Sequence, residues 1–266
     1  QAICPNASLK QAPGGVYVSG EIADAYQICL WSRLANRVLW ILTHAPAANE
    51  QELYNAANAI DWPAQFHFAS DFMVQFNGTT KAINNTQFGA LRIKDGIVDR
   101  FVEDGTSRPS VSKLSPAITI HARLHRDEVL IAIDLSGKSL HQRHYREDTG
   151  EAPLKEHVAA AMLYRSGFTK AITEFDSVAL LDPMCGSGTI AIEAASMAAN
   201  IAPGLAREKW GFDAWLGHHK SLWHDLKTAA LAAQKSHQHR IFANDIDRNL
   251  VRIAKANADN AGVFAS

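Results

Sequence analysis

Residues 180–189 read Leu-Leu-Asp-Pro-Met-Cys-Gly-Ser-Gly-Thr, an apolar run that ends in an acid and passes into a glycine-rich turn. Upstream, Ser177 to Leu181 is a short apolar segment, and downstream Thr189 to Met197 is rich in alanine. Strand, glycine loop and helix in that order form the opening unit of a doubly wound α/β sheet. By spacing alone, Gly186 to Ala191 matches G-x-G-x-x-A, the fingerprint of a loop that receives a pyrophosphate at a helix N-terminus. Asp182 argues against that ligand, because a carboxylate at the strand end repels a phosphate where the dielectric is low. A cationic nucleoside without phosphate suits the acid better, and S-adenosylmethionine (AdoMet), with its sulfonium and ammonium, is one. No Gly-Lys-Ser/Thr follows at P-loop spacing. The alternative is a bare strand-to-helix turn with a capping aspartate.

A second unit of the same kind lies at Ile241 to Asp247, "IFANDID", followed by apolar residues at Leu250, Val251, Ala254 and Ala258. In a doubly wound fold, the acid ending the second strand lies across from the first loop and accepts ribose hydroxyls. Asp245 is assigned that role, and Asp247, nearer the helix, that of N-cap. Gly186 and Asp245 are 59 residues apart, against the roughly twenty of dinucleotide enzymes. An insert is therefore expected, at about 199–240.

Towards the N-terminus, "GGVYVSG" reads as a strand, Glu21 to Ala35 as a helix with Ile22, Tyr26, Cys29, Leu30 and Leu34 near one face, and "RVLWIL" as a strand, giving a small α+β unit. Phe72, Val74 and Phe76 alternate up to Asn77-Gly78, and Phe88, Leu91, Val98, Phe101 and Val102 suggest a helix. Ile118 to Leu124 and Val129 to Leu135 alternate on either side of a turn at His125 to Glu128, the clearest hairpin in the chain. The polar stretch Arg146 to Pro153 resembles a linker, so domains are expected at 1–147 and 148–266. After it, Leu154, Val158, Ala161, Met162 and Arg165 run at helical spacing towards Gly167.

Composition sets broad limits. The chain has 266 residues, 47% of them hydrophobic, and a net charge of -1, so the total charge neither supports nor excludes a polyanion partner. No apolar run of about eighteen residues is present to span a bilayer. Cys4, Cys29 and Cys185 are odd in number and widely spaced, which fits neither a disulfide framework nor a CxxC site and is simplest in a reducing cytoplasm. His218, His219, His224, His237 and His239 lack a cysteine partner or an HExxH pattern and are read as polar positions, so no metal is assigned. Trp210, Trp215 and Trp223 are read as packing the insert onto the sheet. Cys185 is treated as a small loop residue and not as a nucleophile, since methylating an amine needs none.

The segments "APLKEHVAAAMLYRSG", "LLDPMCGSGTIAIEAA", "APGLAREKWGFDAW" and "FANDIDRNLVRIAKANADNAGV", together with "WSRLANRV", "KDGIVDRF" and "IDLSGKSLHQRHYR", resemble the bacterial large-subunit ribosomal RNA guanine-N2 methyltransferase family with an N-terminal THUMP domain, the RlmL type. The resemblance runs along essentially the whole chain. It implies an α+β N-terminal half (ferredoxin-like plus THUMP) that holds RNA, followed by a Rossmann-like AdoMet-dependent methyltransferase domain, incomplete here, acting on the N2 amine of a guanine in 23S rRNA. It implies cofactor contacts from Asp182, Pro183, Cys185, Gly186, Ser187, Gly188, Thr189, Asp245 and Ile246, and from Lys155 at the start of the helix after the linker. It also supports reading Lys138, Arg143, Tyr145 and Arg146 as an RNA-contacting surface; a solvated hairpin tail is the alternative. Related amino-methylases use an Asn/Asp/Ser-Pro-Pro-aromatic loop to hold the weakly nucleophilic amine. No two of the nine prolines are adjacent, so that loop is absent and its residues are unknown; the 266 residues are expected to be a fragment with negligible methyl transfer. An adenine-N6 methylase, or a noncatalytic RNA-binding protein with a vestigial methyltransferase fold, remains an alternative.

Overall fold

The computed structural model describes residues 2–146 and 153–263. In chain order the elements are β1 (Ser8–Ala12), β2 (Gly15–Ser19), α1 (Ile22–Trp31), β3 (Leu39–Pro46), α2 (Glu50–Asn58), β4 (Phe72–Asn77), α3 (Thr86–Glu103), β5 (Ile118–His125), β6 (Glu128–Asp134), α4 (Glu156–Arg165), α5 (Phe168–Glu174), β7 (Ala179–Asp182), α6 (Thr189–Ala198), α7 (Lys220–Ala232), β8 (Arg240–Ala243) and α8 (Arg248–Asn260).

Two compact units share the chain, one formed by residues 1–36, 139–208 and 220–266 and the other by 37–138 and 209–219. This differs from the expected single boundary between 147 and 148, a position that falls in 147–152, outside the described residues. The reason is packing. Helix α1 buries Leu30 in a cluster with Ala202 and Ala230, and Tyr26 meets Trp223 of α7 edge-on at 5.5 Å, so the N-terminal segment joins the unit that holds α7. The helix of 21–35 and the strand "RVLWIL" therefore belong to different units and do not form one small α+β piece.

The unit around 37–138 is a four-stranded sheet in the order β3-β6-β5-β4 with α2 and α3 packed together. Strands β5 and β6 pair antiparallel from Ile120↔Ile133 to His125↔Glu128, while β4 pairs parallel to β5. Ile118, Ile120, Ile131 and Ile133 are all fully buried, and a one-residue slip would turn each of them to the opposite face of the sheet. The helices approach closely at Gly96, where an added Cβ would lie 2.7 Å from the Tyr54 carbonyl oxygen. The helix suggested by Phe88, Leu91, Val98, Phe101 and Val102 is present as α3; its buried face is Ile93, Ile97, Val98 and Phe101, with Phe88, Leu91 and Val102 exposed.

The insert supplies a strip of this same unit. The Trp215 indole Nε1 donates to Gln65 Oε1 at 3.0 Å, its ring lies 5.5 Å from Trp40 of β3, and the Gly211 N–H donates to the Leu135 carbonyl. Thus Trp210 and Trp215 pack in the second unit, whereas Trp223 packs in the first.

In the first unit β7 and β8 are parallel neighbours, from Ala179↔Arg240 to Asp182↔Ala243. Helices α4, α5 and α6 meet beneath them through Ala160, Leu163, Phe168, Ala194 and Met197. Helix α4 starts at Glu156, and it buries Glu156, Ala159, Ala160 and Leu163 while leaving Val158 and Met162 exposed. Among the described residues no helix is long and apolar enough to cross a membrane.

Candidate functional site

Strands β7 and β8 end side by side and in the same direction, so Asp182, the last residue of β7, and Asp245, two residues past β8, converge on one loop. Gly186 (φ +55°) and Gly188 (φ +87°) adopt left-handed conformations that turn the chain from β7 into α6. An added Cβ at Gly186 meets nothing within 4 Å, so this side of the loop is open; at Gly188 it would stand 3.0 Å from the Ala254 Cβ of α8. The first glycine thus leaves room for a ligand and the second lets two helices approach.

Polar bonds hold the loop. Gly186 N–H donates to Asp245 Oδ2 at 2.9 Å, Cys185 N–H to the Asn244 carbonyl at 2.8 Å, and Gly188 N–H to the Cys185 carbonyl at 2.8 Å. Asn257, buried on α8, donates to the Ser187 carbonyl at 3.0 Å. Asp245 Oδ1 also accepts from Asp247 N–H, and these backbone donors hold its carboxyl below the usual range. Asp247 caps α8 by accepting from Asn249 N–H, which is the role read for it in the sequence.

Asp182 differs. It is 9% exposed, and among the described residues its carboxylate accepts only a long bond from Met184 N–H at 3.4 Å and has no ion-pair partner, while its backbone carbonyl accepts from Asn244 N–H at 2.9 Å. Burial, and secondarily the neighbouring Asp245, push its pKa up, with the Met184 N–H partly opposing. Burial, then Asp182 and Asp245, likewise raise the Cys185 thiol, which disfavours a thiolate nucleophile there. Pro183 and Met184 are exposed on the loop, and Ile246 beside Asp245 is fully exposed. Lys155 is exposed at the N-cap of α4, without a side-chain capping bond.

Of the residues read as an RNA surface, Lys138 alone is exposed, and it belongs to the second unit. Arg143 and Tyr145 are buried, at 5% and 6% exposure, which corrects that reading. Arg143 Nε and Arg33 Nη1 each lie 3.3 Å from the Glu193 carboxylate on α6, and the other guanidinium nitrogens of Arg143 donate to the Leu140 and Arg33 carbonyls. Arg146 is half-buried; it ion-pairs with Glu156 and donates to the Thr189 hydroxyl. These charges are drawn inward by acids distant in sequence. Glu193 was missed as a site determinant, although a lone acid inside the apolar helix "TIAIEAASMA" signals a buried charge. The crowded histidines form no metal-holding group among the described residues.

Comparison with known proteins places these features in a family. Residues 6–39 match the RlmL ferredoxin-like domain, 47–134 the THUMP domain, and 143–266 the RMKL-like methyltransferase domain. Proteins named ribosomal RNA large subunit methyltransferase K/L are 56% identical in Alteromonas mediterranea and 52% in Pseudoalteromonas atlantica, over 98% and 99% of this chain. The chain spans 37% of the length of each of these relatives. A predicted N6-adenine-specific DNA methylase from Listeria monocytogenes superposes with a TM-score of 0.83 at 30% identity, over 97% of this chain and 66% of that one. SMU.472, named as a methyltransferase and complexed with SAH, does so with a TM-score of 0.81 at 29% identity, over 96% of this chain and 66% of that one. On these matches and on its own domain order, the chain belongs to the family that joins an RlmL ferredoxin-like domain and a THUMP domain to an RMKL-like methyltransferase domain.

Proposed function

We propose that this chain is the RNA-holding and AdoMet-binding portion of an rRNA methyltransferase that modifies the exocyclic N2 amine of a guanine in 23S rRNA. The observation that carries the cofactor choice is the engagement of the loop by Asp245. The Gly186 and Gly188 N–H groups, which a pyrophosphate would need, already donate within the protein, and a second carboxylate, Asp182 at the end of β7, has no cation partner among the described residues. A sulfonium nucleoside supplies that cation. SAH, held by the SMU.472 structure, is the demethylated form of AdoMet, which supports the same choice.

In this reading Asp182 faces the positive methionine end, with Gly186, Ser187 and Gly188 allowing close backbone approach. Asp245 keeps lone pairs for the ribose hydroxyls while its backbone bonds fix its orientation. Ile246 and Pro183 offer exposed apolar surface to the adenine side. Cys185 and Thr189 shape the turn, and Lys155 borders the site. When bound, AdoMet supplies an electrophilic methyl; the residues described here bind and orient it. The second unit would hold folded RNA by shape and backbone charge, with Lys138 as a phosphate contact.

Calorimetric titration should give heat with AdoMet and none with NAD; heat with NAD alone would reverse the cofactor choice. Nucleoside analysis of 23S rRNA methylated by a full-length enzyme that contains this portion should show N2-methylguanosine. The name of the Listeria structure supports a second reading, in which N6-methyladenosine appears instead.

A further inference from the structure

Arg146 closes the segment that leaves the second unit after Lys138, and its guanidinium is spent inside the first unit. Nη2 donates to Thr189 Oγ1 at 2.7 Å and to the Leu154 carbonyl at 2.5 Å, and Nε lies 3.2 Å from Glu156 Oε1. Both carboxylate and hydroxyl partners are buried, Glu156 at 5% and Thr189 at 4% exposure. Thr189 is the first residue of α6 and follows Gly188 directly. The preceding residue contributes as well, since Asn260 of α8 donates to the Tyr145 carbonyl at 3.2 Å.

The glycine turn needs such anchors. Two glycines with positive φ lose more conformational freedom on ordering than other residues, and a ligand that had to order them would bind more weakly. Three side chains restrain the turn from three directions: Asp245 on the Gly186 N–H, Asn257 on the Ser187 carbonyl, and Arg146 on the Thr189 hydroxyl. The first comes from the turn after β8 and the second from α8. The third comes from outside that pair and ties the turn to residues 139–146, the stretch of the first unit that follows Lys138.

We propose that Arg146 is a positioning residue for the cofactor loop, acting through the Thr189 hydroxyl, so that the stretch 139–146 and the loop are ordered together. The proposal rests on the reading that this loop binds AdoMet.

The test is calorimetric titration of the chain with AdoMet for wild type, Arg146→Gln, Arg146→Lys, Thr189→Val and the double variant R146Q/T189V, each first checked for a cooperative thermal melt. A charged hydrogen bond of ordinary strength predicts roughly tenfold weaker binding for R146Q. R146K should fall between R146Q and wild type, because an ammonium reaches one acceptor but lacks the fork. If Arg146 acts through Thr189, R146Q/T189V should bind about as weakly as either single variant, whereas independent roles would multiply to roughly a hundredfold. Wild-type affinity in R146Q, or multiplying losses, overturns the proposal. If R146Q fails to melt cooperatively, R146K carries the comparison. If wild type itself gives no heat with AdoMet, the cofactor reading fails instead. The anchor is then judged by amide hydrogen exchange at residues 186–189 of the ligand-free chain, where faster exchange in R146K or R146Q supports it and unchanged exchange refutes it.

Discussion

Two buried acids of the first unit stand on either side of the glycine turn in opposite circumstances. Glu193, inside α6, is 1% exposed and lies between two arginines drawn from residues 33 and 143. Asp182, at the end of β7, is buried nearly as well yet is left without a cation among the described residues. Where an acid serves the scaffold, the chain brings basic side chains from far away to neutralise it. Where an acid faces the open turn, the positive charge is left for a ligand to bring. The second unit repeats the scaffold arrangement, with Asp134 fully buried against Arg37 and His121.

Breaking the paired acid should have the largest effect. Glu193→Ala leaves two buried guanidinia uncompensated, so stability to chemical denaturation should fall by about 3–5 kcal/mol. Asp182→Asn should do the reverse, weakening AdoMet by about ten- to a hundredfold in calorimetry, the size of a charge-assisted contact. Its melting temperature should hold or rise, because the native carboxyl is raised above its unfolded value and ionising it costs stability. If Asp182→Asn unfolds the protein as Glu193→Ala does, the contrast is void.

The same shift sets a pH dependence. A bound cation favours ionised Asp182, so AdoMet affinity should drop as the pH falls through the region just above the ordinary carboxylate value of about 4, and D182N should flatten the profile. Asp245, held low by backbone donors, stays ionised there. Gly188→Ala forces a side chain into φ +87° and against Ala254, and should cost about 1–3 kcal/mol by thermal melt. Asp247→Ala removes only a cap, costing about 1 kcal/mol while leaving the Asp247 N–H to Asp245 bond intact.

Local patterns were legible in the sequence. The β5–β6 hairpin follows from alternation, the β7-to-α6 turn from its glycines, and the Asp247 cap from its place before an apolar series. Helix α4 follows from its spacing towards Gly167, but an alanine-rich helix has little contrast between faces, and the spacing does not tell that Val158 and Met162 are exposed while Ala159, Ala160 and Leu163 are buried. What escaped was non-local. Nothing near Arg143 in the chain announces Glu193, so a cluster of basic residues looked like an RNA surface when two of its members are turned inward. The insert looked like part of the domain that carries it, because the partners of Trp215, namely Gln65 and Trp40, are some 150 residues or more earlier.

The insert has an evolutionary consequence. Since residues 209–219 complete the unit built from 37–138, and residues 1–36 complete the other, no single crossover in the gene can exchange either unit whole. A recombinant joined near 147 would inherit α6 with Glu193 but a foreign Arg33, and a Trp215 strip without its matching Gln65. The two halves must therefore drift as a pair, and substitutions at Trp215 and Gln65, or at Arg33 and Glu193, should be tracked together through descent.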